Sequence, residues 1–338
     1  MTTIRDIAAE AGVSAQTVSN VINGHTGRVS AATAERVQAI MRRHGFVPNG
    51  PATALSANRS NIVALLHAGK TGRRQPSPHD SIFLDEVERR LTEARRYLML
   101  RSADEVVVTA AELRSWRVDG AIILGTFTSE ADELQAMLRM PLVFVDNYST
   151  SPDIHGVGID DFTGGELAGR HLIEAGHRRL ALVAPGVDQP GVLHQRYAGF
   201  QAAVTAAGLG ADSLELLDCE PFFDDGVALG RRLAERGDRP TGIFATADVI
   251  AIGVLKGLLE SGIAVPAEVS LVGFDDLPEA RYVTPSLTTV RQDIPAKAEA
   301  AVRTLLGMID GGPATDVSRL GVELVARGTV APPPAGRG

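Results

Sequence analysis

The sequence predicts two parts of different class: an all-α N-terminal domain built on a helix-turn-helix, and a larger α/β region with parallel sheets. Three observations carry this. Apolar residues in the first 45 positions recur at helical spacing and are broken by the turn Ala11-Gly12-Val13-Ser14. From Asn61 to about residue 330, short apolar runs alternate with helical segments. Finally, 338 residues are too many for one ordinary core.

The elements follow in order. A first helix is expected from about Ile4 to Glu10, with Thr3 as N-cap and Asp6 in its first turn. Ile4, Ile7, Ala8 and Ala11 share one face, and Gly12 ends the helix. Ser14 caps a second helix, Ala15 to about Ile22, striped by Val18, Val21 and Ile22. Ser30 caps a third, about Ala31 to His44, closed by Gly45. In a helix-turn-helix the second helix enters the major groove and its N-terminal residues meet base edges. Gln16 and Asn20 can each make bidentate contacts to adenine, and Ala15 can pack on a thymine methyl. Ser14, Thr17, Ser19 and Asn23 are placed to bond phosphates. The same spacing also fits a plain three-helix bundle whose polar residues are only solvated.

Pro48-Asn49-Gly50-Pro51 opens a linker too short and too rich in glycine and proline for a stable isolated helix, although Ala52 to Ala57 is a good helix former. In the α/β region, strands are expected at Ile62–Leu66, Ala121–Leu124, Leu142–Val145, Gly156–Ile159, Leu180–Val183, Gly242–Ala245 and Ser270–Gly273. Helices are expected at Phe162–Ala175, Val249–Ser261 and Ala296–Ile309.

Composition narrows the function. The chain is 44% hydrophobic and 22% charged, as in a soluble globular protein, and no window approaches a membrane span. The N-terminus lacks the apolar core of a secretory signal, so a cytoplasmic protein is expected. The lone Cys219 excludes an intrachain disulfide and a multi-cysteine zinc site. Single histidines such as His67, His171 and His177 lack ligand spacing, and neither a metal nor a cofactor is expected. Net charge is −8, yet residues 1–60 hold Arg5, Arg28, Arg36, Arg42, Arg43 and Arg59 against Asp6, Glu10 and Glu35. A basic end on an acidic body can approach phosphates where the rest cannot.

Several linked motifs give the pattern a family resemblance. Thr3-Ile4-Arg5-Asp6-Ile7-Ala8, Ala11-Gly12-Val13-Ser14, Thr17 through Gly24 (TVSNVING), Arg28-Val29-Ser30 and Phe46-Val47-Pro48-Asn49 resemble the head-piece of the LacI/GalR family. The resemblance continues through Asp119 to Leu124 (DGAIIL), Gly176-His177-Arg178-Arg179, Val269 to Asp276 (VSLVGFDD) and Pro285 to Val290 (PSLTTV). It implies a helix-turn-helix domain over 1–47, a hinge over 48–60 with a hinge helix, and a two-lobed sensor over 61–330. That sensor is similar to periplasmic sugar-binding proteins, and a disordered tail over 331–338 follows it. It also implies a repressor that binds pseudo-palindromic double-stranded operator DNA as a homodimer, and a small effector, by default a sugar or sugar derivative. Leu55 falls at the position of the leucine wedged into the minor groove.

In such a sensor the ligand lies beyond the carboxyl ends of the strands. Arg196 aligns with the family's effector-binding arginine. Asp275 and Asp160 each follow a strand, and Phe222 or Phe223 is a candidate for stacking on a ligand face. His79, Asp80 and Phe83 lie near the expected ligand loop of the first lobe. The departures are Asn20 for the usual arginine, Thr53 for another, Ala247 for the asparagine of an Asn-Asp pair, and a polar, basic segment from Ala68 to Asp80. Arg73 and Arg74 in that segment make a phosphorylated or acidic ligand an alternative to a sugar. The competing readings are a DNA-binding regulator without effector control, a solute-binding protein, and an α/β enzyme with an appended bundle.

Overall fold

The computed structural model describes residues 2–22, 26–47, 59–67, 77–102, 106–125, 128–149, 151, 153–313 and 318–334. The chain divides into two compact units, one of residues 1–62 with 113–119, the other of 63–112 with 120–338.

The first unit carries α1 (Ile4–Ala11), α2 (Ala15–Ile22) and α3 (Ala31–Arg43). Thr3 and Asp6 form a reciprocal capping box at the start of α1, which satisfies two backbone donors that the helix leaves over. Gly12 ends the helix at φ +64, a left-handed conformation that glycine adopts without a Cβ penalty. Ile7, Ala8, Ala11, Val18, Val37 and Ile40 close a small core, supported by Val21, Ile22, Met41 and Phe46. The predicted helices stand within one residue of their expected ends. Most of the expected hinge, residues 48–58 with Leu55 and Thr53, lies outside the described residues.

The second unit has two lobes, each with a six-stranded sheet. Lobe 1 orders β1 (Ile62–His67), β2 (Tyr97–Ser102), β3 (Gly120–Leu124), β4 (Leu142–Val145), β5 (Gly156–Ile159) and β11 (Ser318–Leu320) as β11-β5-β4-β3-β1-β2. It is flanked by α4 (Pro78–Glu93), α5 (Val106–Ser115), α6 (Thr128–Leu138) and α12 (Ile294–Ile309). Lobe 2 orders β6 (Leu180–Ala184), β7 (Leu214–Asp218), β8 (Gly242–Ala245), β9 (Ser270–Asp275), β10 (Thr288–Gln292) and β12 (Val322–Val325) as β12-β10-β9-β8-β6-β7. Its helices are α7 (Asp161–Glu174), α8 (Val192–Ala206), α9 (Phe223–Ala234), α10 (Asp248–Glu260) and the short α11 (Glu279–Tyr282). Register in the central pairs is parallel, for example Val63 beside Gly120 and Gly242 beside Ser270, as buried runs without alternation require. β12 runs antiparallel to β10.

The chain passes between the lobes three times, at β5 to α7, at β10 to α12 and at β11 to β12. Both sheets point their carboxyl ends into the space between the lobes, and the functional side chains collect there.

One expectation needs correction. The tail does not start free at residue 331. Ala331 accepts from His177 Nε2 at 3.0 Å and exchanges two 3.0 Å hydrogen bonds with Ser270 Oγ. His177 is fully buried and its other ring nitrogen meets Thr241 Oγ1, so the segment completes a polar set that lobe 2 would otherwise leave open. Residues 335–338 lie outside the described residues.

Candidate functional site

Two surfaces carry the candidate residues. In the first unit, Ser14 caps α2, accepting the Thr17 amide at 3.1 Å and meeting Thr17 Oγ1 at 2.9 Å. Val18 is fully buried in the small core and so fixes the rotation of the helix. Ala15 and Gln16 are thereby exposed, while Thr17, Ser19 and Asn20 are half-buried. Gln16 Nε2 donates to Asn20 Oδ1 at 3.3 Å, a helical i, i+4 pair that aligns both amides along one edge. The arrangement offers amide donors and acceptors on an exposed helix end, the chemistry that reads adenine in a major groove. Asn23 lies outside the described residues.

In the second unit, a cavity of about 550 Å³ opens between the lobes, a volume suited to a small molecule. Arg196, on α8, is almost completely buried in its wall. Its Nε donates to Asp161 Oδ1 at 2.8 Å, its Nη1 donates to the Thr246 carbonyl at 2.6 Å, and its guanidinium lies 3.5 Å above the Phe274 ring. Helices α7 and α8 approach closely enough for this because Gly165 and Gly199 face each other's backbone. A Cβ on either would collide with the carbonyl of Arg196 or Phe162. Asp161 also accepts from the Tyr148 hydroxyl at 2.6 Å, and Arg319 lies over the Tyr148 ring. Burial raises the pKa of Asp161 against the pull of the Arg196 charge, and burial together with that carboxylate raises the phenol of Tyr148.

Asp275 ends β9 with φ +118, a strained value for a residue with a Cβ, and one of its oxygens accepts from Gln292 Nε2 at 2.6 Å. Behind it Asp248 is fully buried, accepting from Thr289 Oγ1 at 2.6 Å and the Leu277 amide at 2.8 Å. Burial, and then the charge of Asp275, push its pKa well up. Asp248 is thus a bracket for the β9 and β10 ends, and Ala247 beside it presents a methyl to the cavity.

The lobe 1 wall is a hydrogen-bonded chain. His67 Nε2 meets one oxygen of Asp80 at 3.2 Å and His79 Nδ1 meets the other at 3.0 Å. Lys297 Nζ reaches His79 Nε2 at 3.1 Å, Asp146 Oδ2 at 2.7 Å and Gln292 Oε1 at 2.7 Å. An ammonium only donates, so His79 accepts at Nε2 and carries its proton on Nδ1, toward Asp80. Burial opposes ionisation of Asp80, but the bonds from His67 and His79 outweigh it and hold the carboxyl far below the usual range. The same bond to Asp80 raises His67 against the effect of burial. Oδ1 of Asp146 is buried with no hydrogen-bond partner.

The structure therefore brings together Arg196, Asp275, His79 and Asp80 among the residues expected from the sequence, and it places three others elsewhere. Asp160 is exposed and caps α7, bonding the Thr163 amide at 3.0 Å and its hydroxyl at 2.7 Å. The next residue, Asp161, is the one that turns inward. Phe83 is fully buried in the lobe 1 core with Val87 and Leu91. Phe222 is the half-buried residue before α9 and does not line the cavity, whereas Pro221 does. Arg73 and Arg74 lie outside the described residues. Sequence reading missed Asp146, Lys297 and Gln292. Asp146 follows β4 as Asp275 ends β9, and Lys297 sits on the apolar stripe of α12 with Ile294, Ala298 and Ala301, so both carried a signal. Among the described residues no cluster of histidine, cysteine and carboxylate is placed to hold a metal, and no helix is long and apolar enough to cross a membrane.

Comparison with known proteins finds matches to both parts of the chain. Residues 3–49 match the family model for bacterial regulatory proteins of the lacI family, and residues 170–330 match that for a periplasmic binding protein-like domain. A relative from Erwinia tasmaniensis, HTH-type transcriptional repressor PurR, is 33% identical over 320 residues, 91% of each chain. The fold is similar to the lac repressor dimer bound to operator and the anti-inducer ONPF, with TM-score 0.85 and 26% identity over 98% of this chain and 99% of that one. It is also similar to the transcriptional regulator CelR in complex with cellobiose, with TM-score 0.72 and 29% identity over 97% and 100%. With a head-piece and a cleft of this geometry, and relatives aligned over nearly its whole length, the chain belongs to the LacI family of bacterial regulatory proteins.

Proposed function

We propose that the protein is a transcriptional repressor whose head-piece binds a pseudo-palindromic operator and whose cleft binds a small effector that changes operator affinity. The observation that carries the DNA half is the exposed N-terminal end of α2, capped by Ser14 and rotated by buried Val18 so that Ala15, Gln16 and Asn20 point away from the core. Ser14, Thr17 and Ser19 flank that edge as phosphate contacts, with Asn23 and Leu55 extending the contact in the family register. The relatives that bind operator and cellobiose support both halves.

A homodimer sets two head-pieces at matching half-sites. Exposed Tyr97 and Leu100 on the edge strand β2, with exposed Tyr282, give a second copy apolar surface to cover. Effector binding then biases the lobe arrangement, with a coupling of about 1–3 kcal/mol typical of such systems. The protein acts on DNA in the cytoplasm and turns over no substrate. Of the hydroxyls lining the cavity, Ser77 is spent capping α4 and Thr246 donates to the Val183 carbonyl at 2.9 Å.

Selection of random duplexes by the purified protein, with rebinding at two salt concentrations, tests this. Recovery of a two-fold symmetric site, bound far more tightly than bulk DNA at the higher salt, is the expected result. Weak, salt-sensitive binding with no sequence preference would overturn it.

A further inference from the structure

We propose that Asp119 is a positioning residue for DNA binding: its carboxylate fixes how the tether to the head-piece leaves the sensor, and so sets the half-site spacing that a dimer accepts. This rests on the reading of the chain as an operator-binding dimer and adds to it a residue outside both candidate surfaces.

One side chain holds the last residues of the tether. Asp119 Oδ1 accepts from the Ser60 amide at 2.8 Å and from the Ser60 hydroxyl at 3.0 Å, and Oδ2 accepts from the Asn61 amide at 3.0 Å. Ser60 Oγ in turn accepts from the Ile62 amide at 3.1 Å. Asn61 is left-handed at φ +60, a conformation uncommon for a residue with a Cβ and best tolerated by asparagine and aspartate, so the chain changes direction just ahead of β1.

These bonds lie outside the sheet. β1 and β3 are paired from Val63 and Gly120 onward, and the Asp119 amide donates to the Ile62 carbonyl at 2.8 Å. The carboxylate extends that attachment onto the two residues that precede β1. Its own position is firm. Gly120, the next residue, is packed so closely that a Cβ there would stand 3.0 Å from the Pro141 carbonyl and from Leu305. From Gly120 on, β3 is buried along its whole length and pairs with β1 and β4. Residues 113–119 also group with residues 1–62 in one compact unit. A carboxylate at the start of a rigid core strand thus grips the single covalent link between head-piece and sensor, through charge-assisted hydrogen bonds, which are the stronger kind. In a dimer, where each link begins limits where its head-piece can reach. Releasing that end widens the range of separations a tether can span and lowers the effective concentration of the second head-piece at any one of them.

The test uses the full-length protein and the operator recovered by the duplex selection. Its centre is left intact or lengthened by one or two base pairs, and a further duplex carries a single half-site. Dissociation constants are measured for the wild-type protein, for Asp119→Ala and for Ser60→Ala, which removes the hydroxyl bond to the carboxylate. Asp119→Ala is expected to bind the intact operator about tenfold more weakly than wild type. Its affinity for the single half-site is unchanged, and its penalty for the lengthened operators shrinks. Ser60→Ala moves the same way by less, and it decides alone if Asp119→Ala does not fold. A spacing penalty equal to that of wild type overturns the proposal. So does a loss that is equal on the single half-site and the whole operator, since that marks a damaged head-piece. If the selection returns no symmetric site, the regulator reading falls and this proposal with it; a symmetric site with an unmoved spacing penalty sinks the role of Asp119 alone.

Discussion

In the head-piece, the polar side chains at the exposed N-terminal end of α2 bond neighbours three or four residues away, as Ser14 does to Thr17 and Gln16 to Asn20. In the cleft the partners are remote: Arg196 meets Asp161 across 35 residues, Lys297 meets Asp146 across 151 and His79 across 218. The first surface is assembled by one helix and remains solvated, so each group keeps its capacity for another molecule. The second is assembled by the tertiary fold and is largely buried, so its groups must first satisfy one another. Reading DNA needs free edges on a rigid rod, and sensing a small molecule needs a set of groups held in place by the fold itself.

The largest effect should come from breaking a remote pair. Asp161→Ala strands the Arg196 guanidinium in a buried wall, and a loss of about 3–5 kcal/mol is expected in the denaturant-unfolding transition of the sensor. A loss below 1 kcal/mol would mean the cleft tolerates an unpaired charge and would erase the contrast with the head-piece. Next comes the small core: Ile7→Ala should cost about 2–3 kcal/mol, felt by the amide exchange of α1 to α3 and not by that of the sensor.

A smaller effect follows from titration. His67 has a folded-state pKa above its ordinary value because it donates to Asp80, so its contribution is full below the unfolded pKa and is lost as pH rises through the folded one. Asp80, held low, contributes above the ordinary carboxylate pKa and loses that contribution as pH falls. The sensor's melting midpoint in wild type should therefore exceed that of His67→Gln by a margin that narrows as pH is raised over about 5 to 8. A margin that is constant with pH would remove His67 from the relay. The smallest folding effect belongs to Gln16→Ala, expected within about 0.5 kcal/mol by thermal melting, while discrimination at one base pair of the selected operator falls by about 1–3 kcal/mol.

This contrast also explains what could be read in advance. The head-piece helices and the strands of the sensor rest on local periodicity and caps, and they stand where the spacing of Ile4, Ile7, Val18 and Val37 puts them. Three of the seven expected cleft residues, Asp160, Phe83 and Phe222, stand away from the cavity. Asp160 and Asp161 both follow β5, and nothing local says which one turns inward. The partner that holds Asp161, Arg196, and the glycine contact that lets α7 approach α8, at Gly199, both lie far downstream in the chain. Phe83 lies at helical spacing from Val87 and Leu91, so its core role was legible, and its nearness to the ligand loop outweighed that signal. Lys297 is the opposite case, a charge on an apolar helix face whose partners come from β4, β10 and α4 and cannot be inferred from α12 alone.

The triple crossing between the lobes has a consequence for how such genes can be recombined. Neither lobe is encoded by one uninterrupted stretch: lobe 1 resumes with α12 and β11 after most of lobe 2 has been written, and β12 then returns to lobe 2. A chimera that transplants lobe 2 as a single block ending before α12 would pair a foreign β10 with the host's β12 and would leave His177 and Ser270 facing a host Ala331 segment. Exchange of sensors between such regulators is therefore expected to succeed either with the whole unit or with two cassettes cut at residues 160, 293 and 321, so that inheritance of a new specificity is tied to inheritance of the chain's last strand.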